Sequence, residues 1–211
     1  MKAITLLSGG KDSFLASLFA LEQGMDLVLS VGVQPEEYSE MFHFQNYKWS
    51  KNVADLLNLK HIFVREENFY SDIKKLVEET GSQALVSGAI MSNFQKTRLE
   101  KLATDMNIIS YTPLWNVDQE RELLEVILSR IEAQIISVSA DGLDRRYLGM
   151  VIDTNLLSNL LYLNKKNGIN IAGEGGEYET FVSGYLAKKN QIKKFSDQDH
   201  GSMQIRVIEE I

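Results

Sequence analysis

A short apolar run, Ala3 to Leu7, ends on Ser8-Gly9-Gly10-Lys11-Asp12-Ser13, and a stretch with helical apolar spacing follows at once. This junction constrains the chain more than any other feature. A β-leaning segment that turns on two glycines straight into a helix is the opening of a βαβ unit, and such units build parallel sheets covered on both faces. Phe14, Leu15, Leu18, Phe19 and Leu21 carry the helical spacing, and Gly24 stands where a helix would stop.

The alternation continues through the first half. Strands are expected at Leu27 to Val33, His61 to Val64, Ala84 to Ser87 and Ile108 to Tyr111. Helices are expected over a segment containing Trp49, Val53, Leu56 and Leu57, over Ser71 to Thr80, and from Ser92 to Met106, where Ser92 and Gln95 form a capping-box pattern. The rhythm changes after Trp115. An amphipathic helix over Asp118 to Arg130, a strand at Gln134 to Val138 and a helix over Asp153 to Asn167 lead into an irregular β-rich remainder from Tyr178. The expected class is α/β: a doubly wound, parallel, five-stranded sheet with a smaller α+β part behind it. The expected domains are 1–117, holding nucleotide, and 118–211, holding substrate.

The chemistry starts at the glycine pair. Gly9 and Gly10 allow close backbone approach, the helix N-terminus offers N–H groups and a positive field, Ser8 and Ser13 add hydroxyls, and Lys11 adds charge. Together these make a phosphate site. The spacing is neither that of a Walker loop nor that of a dinucleotide fingerprint. Lys11 is expected in the turn ahead of the helix, where its removal would leave the core intact. Asp12 reads either as a magnesium ligand among phosphates or as a first-turn acid. In a sheet of order 3-2-1-4-5, strands one and four are neighbours, so Gly88 would face the same crevice, with Lys96 and Arg98 in reach. For Lys96 a solvated helix face is the plainer alternative.

The string S-G-G-K-D-S resembles the pyrophosphate loop (PP-loop) of the N-type ATP pyrophosphatases, whose fold is similar to the adenine nucleotide alpha hydrolases. Further segments follow in order: Gly88-Ala89-Ile90-Met91-Ser92-Asn93-Phe94-Gln95-Lys96-Thr97-Arg98, then Tyr111-Thr112-Pro113-Leu114-Trp115, Val138-Ser139-Ala140-Asp141-Gly142-Leu143-Asp144, and Gly173-Glu174-Gly175-Gly176-Glu177-Tyr178-Glu179-Thr180. With them the chain resembles the diphthine–ammonia ligase family from Met1 to about Thr180, and less beyond. Alone, the last segment would read as an exposed acidic hairpin, with Glu177 and Glu179 on one face of a strand and Tyr178 on the other.

The resemblance implies ATP-dependent amidation of diphthine on translation elongation factor two with ammonium, through an acyl-adenylate, releasing AMP and pyrophosphate. ATP and Mg2+ are the implied cofactors. Ser8, Gly9, Gly10, Lys11, Asp12, Ser13, Gly88 and Arg98 would bind ATP, with Asp12 as the metal contact. Lys11, Asp12 and Glu177 would be catalytic. His43, Gln95, Glu174, Gly175, Gly176, Glu177, Tyr178 and Glu179 would lie on the acceptor side, where carboxylates and a ring suit a trimethylammonium group or ammonium. His43 is equally a packing or surface residue, and Trp115 equally a packing one. The basic cluster Lys188, Lys189, Lys193 and Lys194 is by default a solvated turn.

Composition weighs the rivals. The 211 residues contain no cysteine, which excludes disulfides, thiolate metal sites and a persulfide carrier within the chain, and so disfavours a thiolase-type tRNA enzyme of the same fold. A net charge of −7 disfavours a nucleic-acid surface. A ligase amidating a small carboxylate remains an alternative. No run is long enough for a membrane span, so a cytoplasmic protein without membrane or direct nucleic-acid contact is expected, with a homodimer allowed.

Overall fold

The computed structural model describes residues 1–36 and 46–211. It divides into two compact units, Met1–Trp115 and Asn116–Ile211. In the first, β1 (Lys2–Leu6), α1 (Lys11–Glu22), β2 (Asp26–Gln34), α2 (Ser50–Leu56), β3 (His61–Arg65), α3 (Phe69–Thr80), β4 (Ala84–Val86), α4 (Asn93–Asp105) and β5 (Ile109–Tyr111) alternate, and a short 3-10 turn at Tyr47–Trp49 precedes α2. The five strands are parallel, as the alternation predicted, and their order β3-β2-β1-β4-β5 is the expected one. The chain leaves β1 toward one edge and β4 toward the other, so the crevice between their carboxyl ends is the switch point of the sheet.

One face of the sheet packs Ile4, Leu29, Val31 and Leu85 against Phe69, Ile73 and Val77 of α3 and Leu99 and Leu102 of α4. α1 is enclosed on most sides, with Phe14, Leu15, Ala16 and Ala20 fully buried. Burying such a helix and the central strands is the main stabilising term. The Ser92 hydroxyl accepts from the Gln95 N–H at 3.3 Å, the cap the sequence pattern predicted.

The second unit is a five-stranded antiparallel sheet, order β8-β7-β6-β10-β9, with two helices. Its elements are α5 (Gln119–Leu128), β6 (Ile131–Val138), α6 (Thr154–Asn167), β7 (Tyr178–Tyr185), β8 (Lys188–Lys189), β9 (Lys194–His200) and β10 (Met203–Glu210). Asp118 and Asp153 cap the two helices through their carboxylates, accepting from Arg121 N at 3.0 Å and Leu156 N at 2.8 Å. Among the boundaries that differ from expectation, two stand out. Arg130 takes a left-handed φ of 58° and ends the α5 region, so β6 begins at Ile131 and not at Gln134. α1 begins at Lys11, two residues ahead of Ser13, where the apolar spacing sets its start. Among the described residues no helix is long and apolar enough to cross a membrane.

Candidate active site

The nucleotide loop follows from β1 ending at Leu6. Gly9 has φ of 97°, a region side chains rarely adopt, and Gly10 occupies the N-cap of α1 with no side-chain cap bond. A helix start leaves its first N–H groups without intrahelical partners, which suits an anion. Around it the Ser13 hydroxyl accepts from Ser8 N at 3.2 Å and donates to the Gly10 carbonyl at 3.1 Å, while Gly10 N donates to the Ser8 hydroxyl at 3.3 Å. Below, the Ser17 hydroxyl donates to the Ser13 carbonyl and lies 2.7 Å from the Thr5 hydroxyl. The loop is therefore fixed by its own hydroxyls and anchored into the core.

Lys11 corrects one expectation. It is only 1% exposed and forms a close ion pair with Asp12, so it belongs to the first turn of α1 and not to a free turn ahead of it. A buried ammonium is tolerated because a carboxylate stands beside it. Asp12, with side-chain exposure of 31%, is at once a first-turn acid and the partner of Lys11. Among the described residues no group of three or more His, Cys, Asp or Glu side chains is placed to hold a metal ion.

Gly88 joins this loop. A Cβ on Gly88 would lie 2.5 Å from both the Asp12 carbonyl carbon and the Ser13 nitrogen, so the backbone after β4 rests directly on the first turn of α1. The preceding Ser87 is buried, and its hydroxyl has no hydrogen-bond partner among the described residues. The Arg98 guanidinium covers the Phe94 ring at 3.9 Å and is exposed on α4. Lys96 sits 4.2 Å over the Trp115 ring and 3.5 Å from Glu100, so it is held by neighbours and is not the freely solvated residue of the plainer alternative. His43, with Met41 and Phe42, lies outside the described residues.

One site residue escaped sequence reasoning. His61 on β3 lies between the hydroxyls of Ser30 on β2 (Nδ1, 2.9 Å) and Ser50 at the start of α2 (Nε2, 3.1 Å). Burial, helped by nearby Lys51, lowers its pKa from 6.5 to about 4. The available signal was the run of small and polar residues, Ser30, Gly32 and Ser50, at positions where a strand and a helix meet.

In the second unit the two remaining segments abut. Ser139 N donates to the Glu177 carbonyl at 2.9 Å, and the Ser139 hydroxyl donates to the Gly176 carbonyl at 2.5 Å. Gly175 and Gly176 form the exposed tip. Tyr178 begins β7, is only 3% exposed, and donates its hydroxyl to the Ile171 carbonyl at 2.6 Å. Its ring therefore shapes the loop from inside and offers no open face to a cation. Glu177 lies one residue ahead of β7, and Glu179 lies within it. One carboxylate oxygen, Oε1, accepts from Asn170 N at 3.0 Å; the other, Oε2, is enclosed and has no hydrogen-bond partner among the described residues. Glu174 and Glu179 are both half-buried, and Gln95 is half-buried on α4.

A parallel sheet in this order, with a glycine-paired loop at its switch point running into a buried helix, defines a doubly wound α/β domain with an anion-binding loop. Residues 1–110 match the family model of the diphthamide synthase N-terminal domain, and residues 118–211 match that of its C-terminal domain. The chain belongs to the diphthine–ammonia ligase family, a family of enzymes that form a carbon–nitrogen bond. The rat diphthine–ammonia ligase is 31% identical over 210 residues, covering 86% of this chain and 78% of its own. The human enzyme is 30% identical with the same coverage. The fission yeast (Schizosaccharomyces pombe) ligase is 32% identical over 207 residues, of which this chain spans 34% of the length.

Proposed function

We propose that this chain amidates the carboxylate of diphthine on translation elongation factor two. ATP forms an acyl-adenylate, ammonium supplies the nitrogen, and AMP and pyrophosphate leave. The observation that carries the reading is the first turn of α1: a side-chain-free cap at Gly10, a left-handed Gly9, two inward hydroxyls and a buried Lys11 paired with half-buried Asp12 at the switch point of the sheet. Family membership supplies the acceptor.

In this proposal α1's first turn, with Ser8 and Ser13, cradles the phosphates, and Lys11 meets the charge that develops as pyrophosphate departs. Gly88 keeps the β4 side of the crevice at backbone distance. Asp12 is the residue of this loop that would hold a magnesium ion brought with ATP, and one carboxylate suits that ion's preference for few protein ligands. On the acceptor side the enclosed Oε2 of Glu177 lacks a donor. An ammonium ion is the donor it fits, and the neutral ammonia left when that ion gives up one proton is the nucleophile that displaces AMP from the acyl carbon. Glu174 and Glu179 add negative charge nearby in sequence.

The test separates the two halves. Wild-type protein with ATP, ammonium and diphthine-bearing elongation factor should yield AMP and pyrophosphate; ADP and phosphate would refute the reaction class. Glu177→Gln can keep the Asn170 bond through its amide carbonyl while turning Oε2 into a donor. It should leave ATP affinity unchanged and raise the ammonium requirement about tenfold or more, a loss typical of one charge-assisted hydrogen bond. An unaltered ammonium requirement in the folded variant refutes that role.

A further inference from the structure

The Ser30 hydroxyl has one hydrogen, and it donates this to the Lys60 carbonyl at 3.0 Å. Toward His61, Ser30 is therefore an acceptor, so the ring carries its proton on Nδ1. Nε2 is then bare and accepts from the Ser50 hydroxyl. This neutral tautomer is the one burial favours. Gly32 makes the arrangement possible, because a Cβ there would lie 2.7 Å from both His61 Nε2 and the Ser50 hydroxyl. Ser50 is 1% exposed and in turn stands behind the nucleotide loop: the nearest atom to a Cβ on Gly9 is the Ser50 Cα at 3.5 Å, followed by the Ser50 Cβ and a Val53 methyl at 3.7 Å.

We propose that His61 is a positioning residue of the nucleotide loop, its ring holding Ser50 in place and Ser50 bounding the space beside Gly9, which is wide enough for one methyl group and no more. Gly9 has no side chain of its own with which to fix its left-handed turn, so the turn depends on how closely that space is bounded. Ser17 and Thr5 anchor the Ser13 end of the loop. His61 and Ser50 brace the glycine end, reached from β3, whose first residue is His61. Without that brace, Gly9 gains room to relax, and ATP binding must first restore the turn.

The inference rests on the nucleotide reading of the loop, and calorimetric titration of the full chain with magnesium-ATP tests the two separately. Five proteins are compared at a temperature where each is fully folded by circular dichroism: wild type, His61→Phe, Ser50→Ala, the double variant of these two, and Val77→Ala. The last is a core truncation on α3, away from the loop. The two brace variants should each weaken ATP about five- to tenfold, the scale of one lost buried hydrogen bond. Their double variant should lose little more than one of them, because both act through one contact. Val77→Ala should melt earlier with unchanged affinity. Wild-type affinity in folded His61→Phe and Ser50→Ala overturns the proposal, as does an equal loss in Val77→Ala. If His61→Phe does not fold, Ser50→Ala decides alone. A wild-type chain that binds no ATP refutes the nucleotide reading, and the positioning role with it.

Discussion

Gly88→Ala tests how closely the two sides of the nucleotide crevice are set. The added methyl carbon would stand 2.5 Å from the Asp12 carbonyl carbon and the Ser13 nitrogen, and 2.7 Å from the Asp12 oxygen. All three are backbone atoms, so no side chain can swing aside. Ordinary carbon contacts begin near 3.5 Å, so the β4–α4 connection and the first turn of α1 must separate by about 1 Å. Overpacking of this kind costs about 1–3 kcal/mol. For a unit of this size that lowers the melting temperature by about 3–10 °C. The catalytic loss should exceed the stability loss, because about 1 Å of misplacement in a reacting site is worth on the order of a hundredfold in rate. Gly81→Ala is the matched control: Gly81 has a left-handed φ of 66° but nothing within 4 Å of its would-be Cβ. It should lose stability through backbone strain alone. Thermal melting and ATP-dependent pyrophosphate release are measured on all three proteins. Full activity in folded Gly88→Ala, or an equal activity loss in Gly81→Ala, refutes the argument that this contact sets the crevice.

Lys11→Ala should lower pyrophosphate release on the order of a hundredfold, the usual cost of removing one donor from developing charge. Because Lys11 is buried against Asp12, it should also lower the melting temperature; a variant with wild-type stability would refute the burial, and one with wild-type turnover the phosphate role. Acid should destabilise the N-terminal unit through His61, whose pKa falls from 6.5 to about 4 on folding. Between those values the unfolded chain binds a proton that the folded chain refuses, so stability is intact above pH 6.5 and declines toward pH 4. Denaturant midpoints of wild type should fall more steeply across that window than those of His61→Phe, and parallel curves would refute the assignment.

Sheet order and the nucleotide loop were legible because both are written in local pattern. Two glycines between an apolar run and a helical one leave few alternatives, and βαβ handedness then restricts the order of the strands. What was not legible is how charge and burial combine inside one turn. Lys11 next to Asp12 reads as an exposed polar pair, and only the fold shows that α1 starts two residues earlier and carries the pair inward. His61 was hidden for a related reason. Its partners lie 31 positions before it and 11 before it, a distance no periodicity spans.

The acidic segment shows how one residue of register changes an assignment. If β7 began at Glu177, strict alternation would put Glu177 and Glu179 on one face and Tyr178 on the other. The strand begins at Tyr178 instead, opposite Val138, and the pairing slips between Ile135 and Ser137. Glu177 stands just ahead of the strand, its carbonyl still accepting from Ser139 N at 2.9 Å. Its carboxylate folds back onto Asn170 N and encloses its second oxygen, while Tyr178 turns inward to Ile171. Gly173 permits the reversal: its φ is 80°, and a Cβ there would meet the Tyr178 carbonyl oxygen at 2.8 Å. The glycines of this segment thus do two jobs that sequence could not separate. Gly173 lets the loop close on Tyr178, and Gly175 leaves room for the Glu177 carboxylate, whose Oε1 would lie 2.7 Å from an added Cβ. A carboxylate held this way is set by the backbone around it, so its chemistry depends on the glycines as much as on its own charge.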